Sequence, residues 1–204
     1  INVEFVKMLL GQERSAGLRA FVETECYVYC PGLKEYGEAL LRFADLPKKT
    51  LRTESQAWTL LIDQLGLEEK EIRSFLKQWK CSNQMIKEVQ LLVYGLKQRK
   101  QHFLEALDLY RLGRESALNV EELIGYFAET PELQQVTANY DKLPIKSLSE
   151  LSIDGNLLLE TSQKKPGKWV SEALQLAERG VITGAVANDK DELLVYLKEQ
   201  NIGI

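Results

Sequence analysis

Lysines and glycines set at the mouths of helical patterns are the residues of this 204-residue chain best placed to do chemistry. Lys164-Lys165-Pro166-Gly167-Lys168-Trp169 leads into one amphipathic run, Asp154-Gly155-Asn156 into another, and Gly184-Ala-Val-Ala-Asn188 into a third. The first turn of a helix presents N–H groups without intrahelical partners at the positive end of the dipole, so such starts attract a phosphate. Lys164, Lys165 and Lys168 add charge around Gly167, Trp169 sits just inside the run, and Asn188 stands at the next start. Gly155 would let the backbone approach a ligand closely. Two plainer roles stay open: Trp169 packed on the core of its own segment, and Gly155 and Gly167 serving turn geometry alone.

Other residue types point away from catalysis. Cys26, Cys30 and Cys81 are too few, and too far from the single histidine His102, to form a zinc site, which needs four Cys or His ligands at short spacing. Cys26 and Cys30 would be neighbours on one helical face if a helix ran through both, and all three are expected to be buried, reduced thiols. One histidine excludes a multi-histidine phosphohydrolase site, and His102, between Gln101 and Phe103, reads as a surface or capping side chain. The one Asp-x-Asp, Asp189-Lys190-Asp191, precedes Glu192-Leu-Leu and reads as a helix start with acids in its first turn. No Gly-rich loop leads into a strand near it.

Charge is uneven along the chain. The net is −4, but from Lys70 to Arg114 ten bases (Lys70, Arg73, Lys77, Lys80, Lys87, Lys97, Arg99, Lys100, Arg111, Arg114) face four acids (Glu71, Glu88, Glu105, Asp108), a local net of +6. Residues 115–141 then carry six acids and no base. An acidic protein can bind nucleic acid through such a local patch, and Arg73, Lys77 and Lys80 join the RNA-binding candidates.

The elements that would hold these residues are helical almost throughout. Apolar residues recur at helical spacing, with Gly or Pro at the ends, so the expected fold is all-α. Helices are expected near Val3–Leu10, Gly17–Val28, Glu35–Phe43, Thr53–Leu65, Glu68–Trp79, Ser82–Tyr94, Phe103–Leu112 and Val120–Phe127. Pro31-Gly32 forces a turn, Pro131 opens a polar connector, and Gly180 is expected to interrupt a later helix. The stripes bearing Trp58, Phe75, Trp79 and Phe103 read as core and not as a base-stacking platform. At 45% apolar and 27% charged residues the composition is that of a globular chain, with no apolar run of membrane-spanning length and no secretory leader, so the expected compartment is the cytoplasm. Because the sequence opens at Ile1, inside an amphipathic run, it is expected to be a C-terminal piece of a longer protein. An apolar stripe bared there could pair with a second copy as a homodimer.

The order of these segments resembles bacterial class II CCA-adding enzymes, the tRNA nucleotidyltransferases. Val3-Glu-Phe-Val-Lys-Met-Leu-Leu10-Gly is similar to the end of their neck helix. Arg19-Ala-Phe-Val-Glu23-Thr with Pro31-Gly-Leu33 resembles the leucine-rich helix and Pro-Gly turn that follow. Leu60-Leu-Ile-Asp-Gln-Leu-Gly66, Phe75-Leu-Lys-Gln-Trp79-Lys and Arg114-Glu-Ser-Ala-Leu-Asn-Val120-Glu match their body, and Leu143 to Asn188 their tail. The resemblance implies three divisions: 1–30, neck end and start of the body; 31–140, body; 141–204, tail.

It also implies a function. Body and tail would hold the top half of a tRNA by shape, phosphates and 2′-hydroxyls. A catalytic head would add C, C and A to the 3′ end from CTP and ATP, using two Mg²⁺ ions on paired carboxylates. Neither the head nor its nucleotide-selecting signature is in these residues, so the chain alone is expected to be inactive and to hold no cofactor. The rival expectation, from another class, is a helical protein-interaction scaffold.

Overall fold

The computed structural model describes residues 1–127, 129–162 and 165–200. Among these the chain forms eleven α-helices and no strand, as the apolar spacing predicts. In order they are α1 (Asn2–Leu10), α2 (Arg14–Glu23), α3 (Gly37–Asp45), α4 (Glu54–Leu65), α5 (Glu69–Gln78), α6 (Asn83–Arg99), α7 (Ala106–Ile124), α8 (Leu133–Asp141), α9 (Gly155–Ser162), α10 (Lys168–Ile182) and α11 (Lys190–Glu199). They divide into two compact units, one of residues 1–104 with 115–133, the other of residues 105–114 with 134–204.

The first unit is organised around α4. Thr53 accepts the Gln56 N–H to start that helix, and Gly66 ends it in the left-handed region (φ 68°). Between them Trp58, Leu60, Leu61 and Ile62 are fully buried, each contributing about 1.5–3 kcal/mol for the apolar surface it removes from water. The aromatic rings of α1, α4 and α5 meet here: Phe5 lies 4.6 Å and Trp58 5.2 Å from Trp79, centroid to centroid. Trp58, Phe75 and Trp79 are core, as their spacing requires, whereas Phe103 is only half-buried under the Arg99 guanidinium, 4.9 Å from its ring centre.

Expectations about helix bounds and about the thiols need correction. The second helix spans Arg14–Glu23 and not Gly17–Val28, because Glu25 turns left-handed (φ 56°) and the chain continues as a 3-10 turn, Cys26–Tyr29. No helix therefore runs through both cysteines, and the thiols are not buried: Cys26 is exposed, Cys30 and Cys81 half-buried. Helix α6 extends to Arg99, since Gly95 and Leu96 are buried and keep the helix on the core. After Pro131 the chain is no mere connector, for α8 docks Val136 in the interior.

The two stretches expected at Phe103–Leu112 and Val120–Phe127 stay two helices, the halves of α7, separated by the non-helical backbone of Gly113 (φ 72°, ψ 164°), a conformation that favours glycine. Asn119 and Glu122 of α7 both accept from the Gln56 amide, at 2.9 and 3.0 Å. Beneath them Glu121, fully buried, accepts from Arg99 Nε (2.8 Å), Arg99 Nη2 (3.1 Å) and the Glu132 N–H (2.8 Å). Arg99 also reaches Glu129 at 2.7 Å. Hydrogen bonds to Glu121, more than any other influence, push the Arg99 pKa above its ordinary value.

In the second unit α10 packs on α9 and α11; Ala173, Ala177, Val181 and Ile182 of α10, Leu158 of α9 and Leu193 and Leu197 of α11 are buried. Gly180 does not interrupt α10. It is buried mid-helix, where a Cβ would stand 2.8 Å from Tyr196 Cε1 and 3.0 Å from Val186 Cγ1, so the missing side chain lets α11 approach. The Tyr110 hydroxyl donates to Glu178 of α10, and burial is the largest of the causes raising its pKa.

Candidate nucleic-acid interface

The candidate side chains fall in both units, and each set is described on its own helices. On α5 the apolar residues Ile72, Phe75 and Leu76 face the core with Trp79 just beyond them, which turns Lys70, Arg73 and Lys77 to the opposite side at i, i+3 and i+7. Lys80 continues this face just past the helix, in the left-handed region (φ 59°). All four are exposed and none is held in a salt bridge among the described residues. Arg73 and Lys77 are separated by one turn, about 6 Å of axial rise. The neighbouring acid Glu71 is committed to the helix start, where its carboxylate accepts the Glu68 N–H at 2.8 Å.

Not every base of the 70–114 segment belongs to that face. Arg99 is consumed by the buried pair with Glu121, and Lys100 is paired with Asp63 while lying 3.6 Å from the Phe127 ring centre. The charge count along the sequence does not separate these from Lys70, which joins the α5 face beside Arg73, Lys77 and Lys80 although it was not among the expected RNA-binding residues. The helical phase of α5 is the signal that places it there.

In the second unit the start of α10 is open in the way its sequence suggests. Gly167 is the N-cap residue, in extended backbone and with no side chain closing the helix. Lys165 and Lys168 are exposed beside it, Lys168 reaching Glu172 at 3.3 Å in a solvent-exposed pair of small energetic weight. Lys164 lies outside the described residues. Half-buried Trp169 turns its Nε1 back to the Lys165 carbonyl at 3.0 Å, closing the Pro166-Gly167 turn.

The other two candidates work mainly within the fold. Gly155 begins α9, where a Cβ would stand 3.2 Å from Val170 Cγ1, so its smallness serves helix packing. That start is moreover occupied by a carboxylate, since Asp154 accepts the Leu157 N–H at 2.8 Å. Asn188 is a staple between loops: it accepts the Ser152 N–H and donates to the Glu150 carbonyl, each at 2.8 Å. The cap of α11 is the next residue, Asp189, which accepts from the Asp191 and Glu192 N–H groups at 2.9 and 3.1 Å. The Asp-x-Asp motif is thus a helix start, as its context predicts. His102 is exposed, its Nδ1 2.9 Å from the Phe103 carbonyl. Among the described residues no three His, Cys, Asp or Glu side chains converge as metal ligands, and no helix is long and apolar enough to cross a membrane.

The class that the structure defines is an all-helical chain of two compact units with an exposed row of cations on α5. Comparison with known proteins makes the class particular: the sequence profile of tRNA nucleotidyltransferase domain 2 matches residues 49–197, and the chain belongs to that family. It is 46% identical over 200 residues to the CCA-adding enzyme of Enterococcus faecalis, covering 98% of this chain and 49% of that protein. With the CCA-adding enzyme of Limosilactobacillus reuteri the identity is 38% over 203 residues, again 98% and 49% of the two chains. The fold is similar to the crystal structure of the Bacillus stearothermophilus CCA-adding enzyme in complex with CTP, with a TM-score of 0.88, 30% identity, and coverage of 98% of this chain and 51% of that one. The chain spans about half the length of the curated relatives it matches.

Proposed function

We propose that this chain is the tRNA-holding body and tail of a CCA-adding tRNA nucleotidyltransferase of the cytoplasm. It positions the tRNA so that a catalytic head adds C, C and A to the 3′ end from CTP and ATP. The observation that carries the reading is the exposed, unpaired cationic face of Lys70, Arg73, Lys77 and Lys80, in a chain of net charge −4 that belongs to a tRNA nucleotidyltransferase family. The open start of α10 with Lys165 and Lys168 supplies a second phosphate-favouring point. The same cations near the end of α5 also complement its dipole, so their presence alone does not demand RNA. Their lack of acidic partners is what leaves them available to phosphates.

The residues described here do not fit a Mg²⁺ site, because Asp189 is spent as a cap and no third ligand stands by it. In this reading nucleotide transfer belongs to the head. What these helices contribute is placement: phosphate contacts fix register and orientation without reading sequence, so acceptor stems of different sequence are held alike.

The test is fluorescence anisotropy of the chain with tRNA lacking its CCA end, against a simple hairpin, at 50 and 200 mM salt. Preference for tRNA is expected, with about a 100-fold loss across that salt range for roughly four phosphate contacts. Replacing Arg73, Lys77 and Lys80 by Ala should reduce the salt slope by about two to three, close to one for each phosphate that is no longer neutralised. Equal binding of tRNA and hairpin, or none, overturns the reading and favours a protein-interaction scaffold. Gel filtration of the same sample separates monomer from homodimer.

A further inference from the structure

A second concentration of positive charge lies in the first unit, in a cleft of about 800 Å³ between the start of α2 and the segment after α3. Its lining includes Arg14, Ser15, Arg19, Lys48 and Lys49 with the acids Glu13 and Asp45. Two of the four cations are answered at the rim: Lys48 by Glu13 at 3.1 Å, and Arg19 by Asp45. Both pairs are solvent-exposed and exchange readily.

The other two cations have only neutral partners. Arg14, 5% exposed, donates to the Pro47 and Lys49 carbonyls at 3.2 and 3.4 Å and lies 5.4 and 5.5 Å from the ring centres of Phe43 and Tyr126. Lys49 donates to the Gly125 carbonyl at 2.7 Å. A buried charge is ordinarily paired with an opposite one; here, among the described residues, no carboxylate is within salt-bridge reach of Arg14. Lys49 is exposed to solvent, so the charge held away from water without a counter-ion at this cleft is that of Arg14. The first turn of α2 borders it, and Glu13 makes no side-chain cap there.

We propose that this cleft is a phosphate-binding subsite. Its size and charge suit one or two phosphate groups, drawn either from an RNA backbone or from a free polyphosphate. The phosphate chemistry stands on Arg14 and Lys49 alone; an RNA source rests on the function proposed above.

The experiment is a ¹H–¹⁵N NMR titration of the chain with pyrophosphate at constant ionic strength, with sodium chloride as control, repeated on Ser15→Asp. An acidic residue in the first turn suits the α2 dipole, so this variant keeps its fold while repelling an anion. Saturable shifts of the Ser15, Ala16 and Lys49 amides, weakened at least tenfold in Ser15→Asp, are expected. Shifts no larger than with chloride, or unchanged in Ser15→Asp, overturn the proposal. A tRNA affinity several-fold lower in Ser15→Asp identifies the source as an RNA strand, whereas an unchanged affinity with lost pyrophosphate binding identifies a free polyphosphate. Pyrophosphate binding by a chain that fails to bind tRNA at all would sink the tRNA reading and leave the subsite standing.

Discussion

Replacing Arg99 by Met exposes what the buried ion pair contributes. The substitution keeps an unbranched side chain of good helical propensity, so α6 itself is little affected. Glu121, at 0% exposure, then keeps only the Glu132 N–H of its three donors. Removing one partner of a buried pair costs about 3–5 kcal/mol, because the remaining charge is stranded away from water. Glu121→Gln is milder, about 1.5–3 kcal/mol: it removes the charge and replaces one of the two oxygens that accept from Arg99 by an amide nitrogen that cannot, while Arg99 retains Glu129 at the surface. In the double variant Arg99→Met/Glu121→Leu no charge is stranded, and the cost falls to about 1–3 kcal/mol for the unanswered Glu132 N–H. The double change should therefore be less damaging than Arg99→Met alone. Urea unfolding followed by tryptophan fluorescence reads this directly, because Trp58 and Trp79 both lie in the core of the same unit. A cost below about 1 kcal/mol for Arg99→Met, or a double variant equal to the sum of its singles, would refute the reasoning, since coupled neighbours must depart from additivity.

Two further outcomes follow from the geometry. Gly180→Ala should lower the melting temperature of the chain, because its Cβ would meet Tyr196 Cε1 at 2.8 Å and Val186 at 3.0 Å, and overpacking of this kind costs about 1–3 kcal/mol; thermal denaturation by circular dichroism checks it, and Tyr196→Ala in the same chain should recover much of the loss. Burial, followed by the Glu54 carboxylate, pushes the Cys81 thiol from 9.0 up to about 11, so at pH 8 its thiolate fraction should be about 100-fold below an ordinary thiol's; its alkylation by iodoacetamide should be slower by a smaller factor, because a more basic thiolate is the better nucleophile, with exposed Cys26 modified first. The same shift makes stability fall as pH rises between 9 and about 11, where the unfolded thiol ionises and the folded one does not.

Much of this architecture is legible in the chain because it is written in local terms. Apolar residues at 3.6-residue spacing, Thr53 and Asp189 at helix starts and Gly66 at a helix end each act within one or two turns, so the all-α class and most helix positions follow from neighbours in sequence. The order of segments carries the family for the same reason. Tertiary structure decided what depends on partners far along the chain. Gly180 reads locally as a helix breaker, and only the ring of Tyr196, sixteen residues on, makes it a packing site inside an unbroken helix. Asn188 reads as a helix start until Ser152 and Glu150 claim its amide. Among the bases between Lys70 and Arg114, sequence counts charge equally. Folding buries Arg99 against Glu121 and leaves Lys70, Arg73, Lys77 and Lys80 on the surface, because whether a cation is neutralised depends on which carboxylates packing brings within a few ångströms of it.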